Sequence, residues 1–366
     1  MNRAAPGQLL LAGVPGTELN AETAALFRRV QPGGYILFGR NITTAPQLRK
    51  LIDDLRDLSE VEPIITIDQE GGRVSRLRLI GNEPPNAQQL REKGDVSLVR
   101  EHGTITGRLL RLFGFNLDLS PVLDISFDDE ADNSLRGRCY GNTVAEVARF
   151  ADAFNVALRT EGVGSCGKHF PGYSGAMVDA HHDLPRIDRT REELEREELA
   201  VFRQFAARVD SMMICHGWYP TFNAEKLPAS LSPAVVTELL RNDLEFEGLV
   251  MTDDLDMGAI YNEYSLTETI RMAITAGNDM AMICHRIDAF DEAHRVLTEL
   301  PPPEVDRALE NIAHFKEGMS PAHDFSEAAF RQLDERVWQL RVEVLGAERA
   351  AERSPEDGKR SPVEMY

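Results

Sequence analysis

Eight short apolar runs punctuate the chain: Gln8–Val14, Gly34–Phe38, Pro63–Asp68, Asn116–Asp124, Gly162–Cys166, Ser211–Cys215, Gly248–Thr252 and Asp279–Cys284. Several are unbroken blocks of Val, Ile, Leu and Met, the pattern of parallel strands covered on both faces. Between them, Thr44–Ser59, Val144–Thr160, Thr190–Arg208, Pro233–Asn242 and Thr267–Ala276 carry helical spacing and charged outer faces. Ser232-Pro233 and Thr267 read as helix starts, and the acidic run Arg191–Glu198 as a solvated helix face. Strand and helix in alternation predict an α/β fold, a single (β/α)8 barrel. A doubly wound sheet would place a G-x-G-x-x-G turn after the first strand, and Gly13-Val14-Pro15-Gly16 does not supply one. No Pro- or Ser-rich linker divides the chain. The expected barrel domain spans 1–347, followed by a polar, disordered tail over 348–366.

Composition narrows the partners. The 366 residues carry a net charge of −20, which disfavours nucleic acid because a polyanion needs a basic face to release its counterions. No apolar stretch approaches the roughly 20 residues of a membrane span, so no membrane partner is expected. Leu9–Val14 lacks the length and cleavage pattern of a signal peptide, which predicts a cytoplasmic protein. Cys139, Cys166, Cys215 and Cys284 are widely separated, and form neither a disulfide framework nor a zinc knuckle. No feature of the chain sets an oligomeric state.

The chemistry concentrates where the strands end, the rim that carries catalysis in such barrels. Asp68 closes the third run and leads into Gln69-Glu70-Gly71-Gly72-Arg73, with Arg76 beyond; Lys168 and His169 follow the fifth run. His216 follows the sixth, Thr252-Asp253-Asp254 ends the seventh, and His285 follows the eighth. The segment Lys168 to Pro185 is a Pro- and Gly-interrupted loop that also holds Asp179, His181 and His182. Its density of proton-transferring groups is that of a hydrolytic enzyme.

Asp68-Gln69-Glu70-Gly71-Gly72-Arg73-Val74-x-Arg76, Lys168-His169-Phe170-Pro171-Gly172, Asp179-x-His181 and Thr252-Asp253-Asp254-Leu255-x-Met257 together resemble the β-N-acetylglucosaminidases of glycoside hydrolase family three. The likeness continues through Leu37-Phe38-x-Arg40-Asn41, Ser120-Pro121-Val122-Leu123-Asp124 and Pro228-Ala229-Ser230-Leu231-Ser232, in order along the barrel. It implies a retaining, exo-acting hydrolase of terminal β-linked N-acetylglucosamine, without cofactor or metal, and a place in cytoplasmic peptidoglycan recycling. By the same resemblance Asp253 is the nucleophile and His181, paired with Asp179, the general acid/base. A histidine suits that role because its unperturbed pKa lies near 6.5, and an adjacent carboxylate favours the imidazolium. Asp68, Arg76, Arg138, Lys168 and His169 would hold the sugar, with Met257 lining the pocket. The chain departs from the family at Tyr173-Ser174-Gly175-Ala176, where His-Gly-Asp-Thr is usual, and at Ala180, where serine is common. Three other readings stay open. One is a metal-dependent hydrolase using His169, His181, His182, His216 and His285; one is a family-three phosphorylase or glycosidase of other sugar specificity; the last is a sugar-binding barrel without turnover.

Overall fold

The computed structural model describes residues 6–131, 133–176, 180 and 183–354. Each apolar run contains or begins a barrel strand. Strands β1 (Leu10–Gly13), β2 (Gly34–Leu37) and β3 (Ile64–Ile67) precede a small antiparallel hairpin, β4 (Gln69–Gly71) and β5 (Val74–Ser75). Strands β6 (Leu117–Asp118), β7 (Gly164–Phe170), β8 (Ser211–Ile214), β9 (Leu249–Asp254) and β10 (Met280–Ile283) complete the barrel. The eight strands close in the order β1-β10-β9-β8-β7-β6-β3-β2, all pairs parallel. Residues on both faces of β1, β2, β3, β8 and β10 are buried, which is why these strands read as unbroken apolar blocks. Each fully buried Leu, Ile or Val adds about 1.5–3 kcal/mol.

The outer layer begins with α1 (Ala21–Val30), α2 (Ala45–Leu58), α3 (Ala87–Lys93), α4 (Val96–Phe113) and α5 (Val144–Thr160). It continues with α6 (Arg191–Arg196), α7 (Glu198–Phe205), a π-helix over Ala234–Asp243, α8 (Gly258–Tyr261), α9 (Leu266–Thr275), α10 (Phe290–Thr298) and α11 (Pro302–Glu317). The chain then adds α12 (Glu327–Leu345), packed on α4, and α13 (Ala347–Ala350).

Five differences from the sequence expectations have physical reasons. Strand β7 runs on through Lys168 and His169 to Phe170, because Asp68, Glu70 and Asp124 satisfy the polar side chains there. The helix expected over Thr190–Arg208 is split at Glu197, which has non-helical φ/ψ of −118° and −90°. Glu198 is fully buried rather than on a solvated face, and is paired with Arg189 at 3.1 Å. Thr267 lies inside α9, whose cap is Ser265 in a reciprocal pair with Glu268; Thr267 instead hydrogen-bonds Glu292. Residues 348–354, expected in a disordered tail, are ordered: α13 returns the chain to Glu83, whose carboxylate accepts from Arg78, Arg341 and Ser354. Glu83 adjoins Pro84, whose carbonyl accepts from Gly72 in the β4–β5 turn, so the C-terminal helices brace a segment that reaches the barrel mouth.

Candidate active site

The C-terminal ends of the strands surround a pocket with about 730 Å³ of empty space, part of it open to solvent, a concave site of the kind that takes small molecules. Its polar wall is built by the hairpin after β3. Gln69 anchors that turn: its N–H donates to Asp118 at 3.0 Å, its side-chain amide donates to Ser75 at 2.7 Å, and its carbonyl oxygen accepts from Leu77 N at 3.2 Å. This leaves Asp68 facing the pocket, bonded to Lys168 Nζ at 2.7 Å and Arg76 at 3.3 Å. Behind it Glu70 accepts from Lys168 at 2.5 Å and from Arg138 through two bonds of 2.7 and 2.8 Å.

These groups are nearly dry. Lys168 is 1% exposed, and Arg76, Arg138 and Glu70 are each 5–6% exposed. Burial opposes ionisation of Asp68 and Glu70, yet their cations outweigh it and hold both carboxyls below the usual carboxylate range. Burial likewise works against charged Lys168, and the two carboxylates more than restore it, raising its pKa. The network is therefore ionised at neutral pH. Asp118, deeper in the barrel, forms no ion pair among the described residues; burial pushes it to about 7 despite a bond from Ser120 and the attraction of Lys168.

His169 forms a second, smaller unit. Its Nδ1 lies 2.6 Å from Asp124, whose carboxylate also accepts the backbone N–H groups of His169 and Tyr173. Arg138 approaches Nε2 at 3.3 Å. A guanidinium can only donate, so the hydrogen-bond geometry assigns the imidazole proton to Nδ1. Glu70 and Asp124 are absent from the pocket lining and fix the side chains that form it.

Across the pocket, β9 delivers Asp253 and Asp254, and their surroundings separate them. Asp254 accepts from the N–H groups of Asp256 and Cys284, lies 3.3 Å from His285 Nε2, and so ties β9 to the end of β10. His216, fully buried after β8, donates to the Asp254 carbonyl at 2.8 Å and is held by Ser230 at 2.8 Å, which stiffens the strand end. Asp253 lines the pocket and accepts the Asp254 N–H at 2.8 Å, and among the described residues it pairs with no cation. Met257 also lines the pocket at 7% exposure.

The structure thus brings Asp68, Arg76, Arg138, Lys168, His169, Asp253 and Met257 to one pocket. Asp179, His181 and His182 lie outside the described residues. The sequence reading assigned no role to Glu70 or Asp124, although each stands inside a motif it used, and gave His216 a role only in the metal-dependent alternative; their contacts show what they do. It quoted Phe38 in a motif but gave it no role; the ring lies 4.5 Å under the Arg40 guanidinium and lines the pocket as a flat apolar surface. Asp254, Cys284 and His285 present ligand-type atoms within 4.8 Å of one another. The Arg40 guanidinium, 3.1 Å from His285 Nδ1, sets a cation against that trio and disfavours a metal there.

Comparisons with known proteins identify the family and the fold. The profile of the glycosyl hydrolase family 3 N terminal domain matches residues 3–315. A β-hexosaminidase of Vibrio cholerae is 33% identical over 329 residues, covering 89% of this chain and 93% of the relative. One from Pseudomonas aeruginosa is 31% identical over 302 residues, covering 81% and 90%. Among solved structures, a family 3 β-N-acetylglucosaminidase from Paenibacillus superposes with a TM-score of 0.85 at 34% identity, over 92% of this chain and 67% of that one. The native NagZ of Neisseria gonorrhoeae gives 0.77 at 28% identity, over 90% and 97%. With the barrel, the strand-end pocket and a family profile spanning most of its length in agreement, the chain belongs to glycosyl hydrolase family 3.

Proposed function

We propose that this hydrolase removes terminal β-linked N-acetylglucosamine by a retaining, exo-acting double displacement. The observation that carries the reading is the contrast among the pocket carboxylates. Asp68 is already committed to Lys168 and Arg76, whereas Asp253 faces the same pocket with no cation among the described residues. A carboxylate without a cation keeps its lone pairs for attack on an anomeric carbon. In this reading Asp253 forms the glycosyl ester while His181, oriented by Asp179, protonates the departing oxygen. His181 then takes a proton from water, which releases the sugar from Asp253 with its configuration retained. Asp68, Arg76, Arg138, Lys168 and His169 bond the sugar hydroxyls, and the preorganised network loses little entropy on binding. The acetamido preference rests on the relatives, which are named β-hexosaminidases and β-N-acetylglucosaminidases. Cytoplasmic recycling of peptidoglycan fragments is the setting that the family resemblance implies.

The test is hydrolysis of a chromogenic β-N-acetylglucosaminide beside the matching β-glucoside. Wild type should turn over the acetamido sugar alone. Asp253→Ala should lose at least about 10³-fold in kcat/KM, some 4 kcal/mol of transition-state stabilisation. Wild-type turnover of neither sugar, or an Asp253→Ala variant that remains active, overturns the assignment. Turnover that depends on added phosphate replaces hydrolysis with phosphorolysis.

A further inference from the structure

A second pocket, with about 820 Å³ of empty space, part of it open to solvent, lies where the C-terminal helices meet the β4–β5 turn. The guanidiniums of Arg73, Arg136, Arg341, Arg349 and Arg353 line it, against one lining carboxylate, Glu352. In a chain of net charge −20, a cleft so rich in cations carries a local field opposite to that of the whole. Arg341 forms its floor: it is 3% exposed, and Glu83 and the carbonyls of Ala350 and Glu352 hold its fork in place. The other cations have charge to offer. Arg353 donates to the carbonyls of Arg78 and Gly81 at 3.1 Å each, and among the described residues it pairs with no carboxylate. Arg349, on α13, makes no side-chain hydrogen bond or ion pair among the described residues. Arg136 pairs with Glu130 at 3.0 Å, but that carboxylate is 81% exposed and the pair is worth little.

The pocket backs directly onto the sugar-binding wall. Arg73 donates to the carbonyl of Ser134 at 2.7 Å and to that of Arg136 at 3.3 Å. The Ser134 carbonyl also accepts from Arg138 at 3.1 Å, and both Ser134 and Arg138 line the catalytic pocket. Gln88, which lines the second pocket, donates its N–H to the Gly137 carbonyl at 3.3 Å. One short loop, residues 134–138, therefore faces the catalytic pocket with Arg138 and the cationic pocket with Arg136.

We propose that this second pocket binds a small molecule bearing one or more phosphates, and that its occupancy steadies the loop that carries Arg138. Guanidiniums arriving from separate segments suit an acceptor whose oxygens point in several directions, which a tetrahedral phosphate provides and a planar carboxylate does not. An anion bonded to both Arg136 and Arg349 ties the loop to α13. A ligand that orders a segment lightens the ordering cost for whatever binds there next, so the two pockets are coupled.

Pyrophosphate titrated into the full chain by calorimetry tests the site. Binding is expected with a Kd below about 1 mM at low ionic strength, weakening as salt is added. Arg349→Gln should weaken it by about 5-fold or more, and Arg349→Glu should abolish it; neither removes a contact of the fold, so melting temperatures should match wild type. Malonate should bind at least about 5-fold more weakly than pyrophosphate. Hydrogen exchange at the Gln88 and Arg138 amides should slow on adding pyrophosphate to wild type and stay unchanged in Arg349→Glu. KM for a chromogenic β-N-acetylglucosaminide should fall by about 5-fold with kcat held. No binding by wild type, or equal binding by Arg349→Glu, overturns the site, the latter placing the anion elsewhere. Malonate binding as tight as pyrophosphate overturns the phosphate assignment, and unchanged exchange or KM in the presence of bound pyrophosphate overturns the coupling. The kinetic arm alone rests on the function proposed above; should wild type turn over no acetamido sugar, that reading fails and the calorimetry and exchange still decide this one.

Discussion

Replacing Lys168 with methionine removes the cation shared by Asp68 and Glu70 while nearly keeping the side-chain volume. Lys168 Nζ sits 2.7 Å from Asp68 and 2.5 Å from Glu70, and its side chain is 2% exposed. Taking one member from a buried pair costs about 3–5 kcal/mol, because the remaining charge is left in a poor solvent. Here Glu70 keeps both bonds from Arg138 and Asp68 keeps Arg76 at 3.3 Å. The loss belongs at the lower end, about 3 kcal/mol. For 366 residues an unfolding entropy of about 2.1 cal/mol/K per residue converts this into a melting shift of about 4 °C. Both carboxyls have depressed pKa values in the wild type. Their contribution is thus present above the unfolded carboxylate pKa, about 4, and is lost as pH falls through the folded values. The gap between wild type and Lys168→Met should be full at about pH 7.5 and narrower at about pH 3.5. Thermal melts followed by circular dichroism at both pH values measure it. A shift under about 1 °C at the higher pH, or a gap that widens in acid, refutes the argument that the network is a mutually dependent set of buried charges.

Two further substitutions probe the surrounding frame. Gly172 has a φ of +122°, and a Cβ there would lie 2.5 Å from Glu198 Cβ; Gly172→Ala should cost about 1–3 kcal/mol in unfolding free energy, and denaturant curves matching wild type would contradict it. Asp118 has its carboxyl pushed to about 7, above the unfolded value, so its contribution is full below the unfolded pKa and is lost as pH rises through about 7. Asp118→Asn cannot ionise, keeps an acceptor for Gln69 N–H, and offers its amide to the Ser120 hydroxyl. It should gain on wild type as pH rises from about 4 to about 7, by up to ~1.4 kcal/mol per pH unit, and level off above; a difference that does not vary with pH would show that burial does not raise the Asp118 carboxyl.

The run pattern was enough to place all eight barrel strands, because burial on both faces demands continuous apolar residues whatever the neighbours are. Helix starts were less legible. Ser265 and Thr267 are both competent caps by residue type, and only the backbone register decides that Ser265 meets the Glu268 amide. Glu198 illustrates the same limit. In a run of acidic residues it looks solvated, yet the helix break at Glu197 turns it inward against Gly172 and Arg189.

The sequence by itself determined the barrel and which reactive residue types end its strands, since both are local properties of spacing and chemistry. It supplied Asp68, Arg76, Arg138, Lys168, His169, Asp253 and Met257, all of which line one pocket. Only the tertiary structure decided what each carboxylate is paired with. Adjacent Asp253 and Asp254 are indistinguishable as letters, and although both line the pocket they differ because β10 and His285 engage Asp254 and, among the described residues, no cation engages Asp253. Glu70, Asp124 and His216 acquire their positioning roles from partners 68, 45 and 38 residues away. Electrostatic energy depends on distance in space and on the exclusion of water, and neither is a function of distance along the chain.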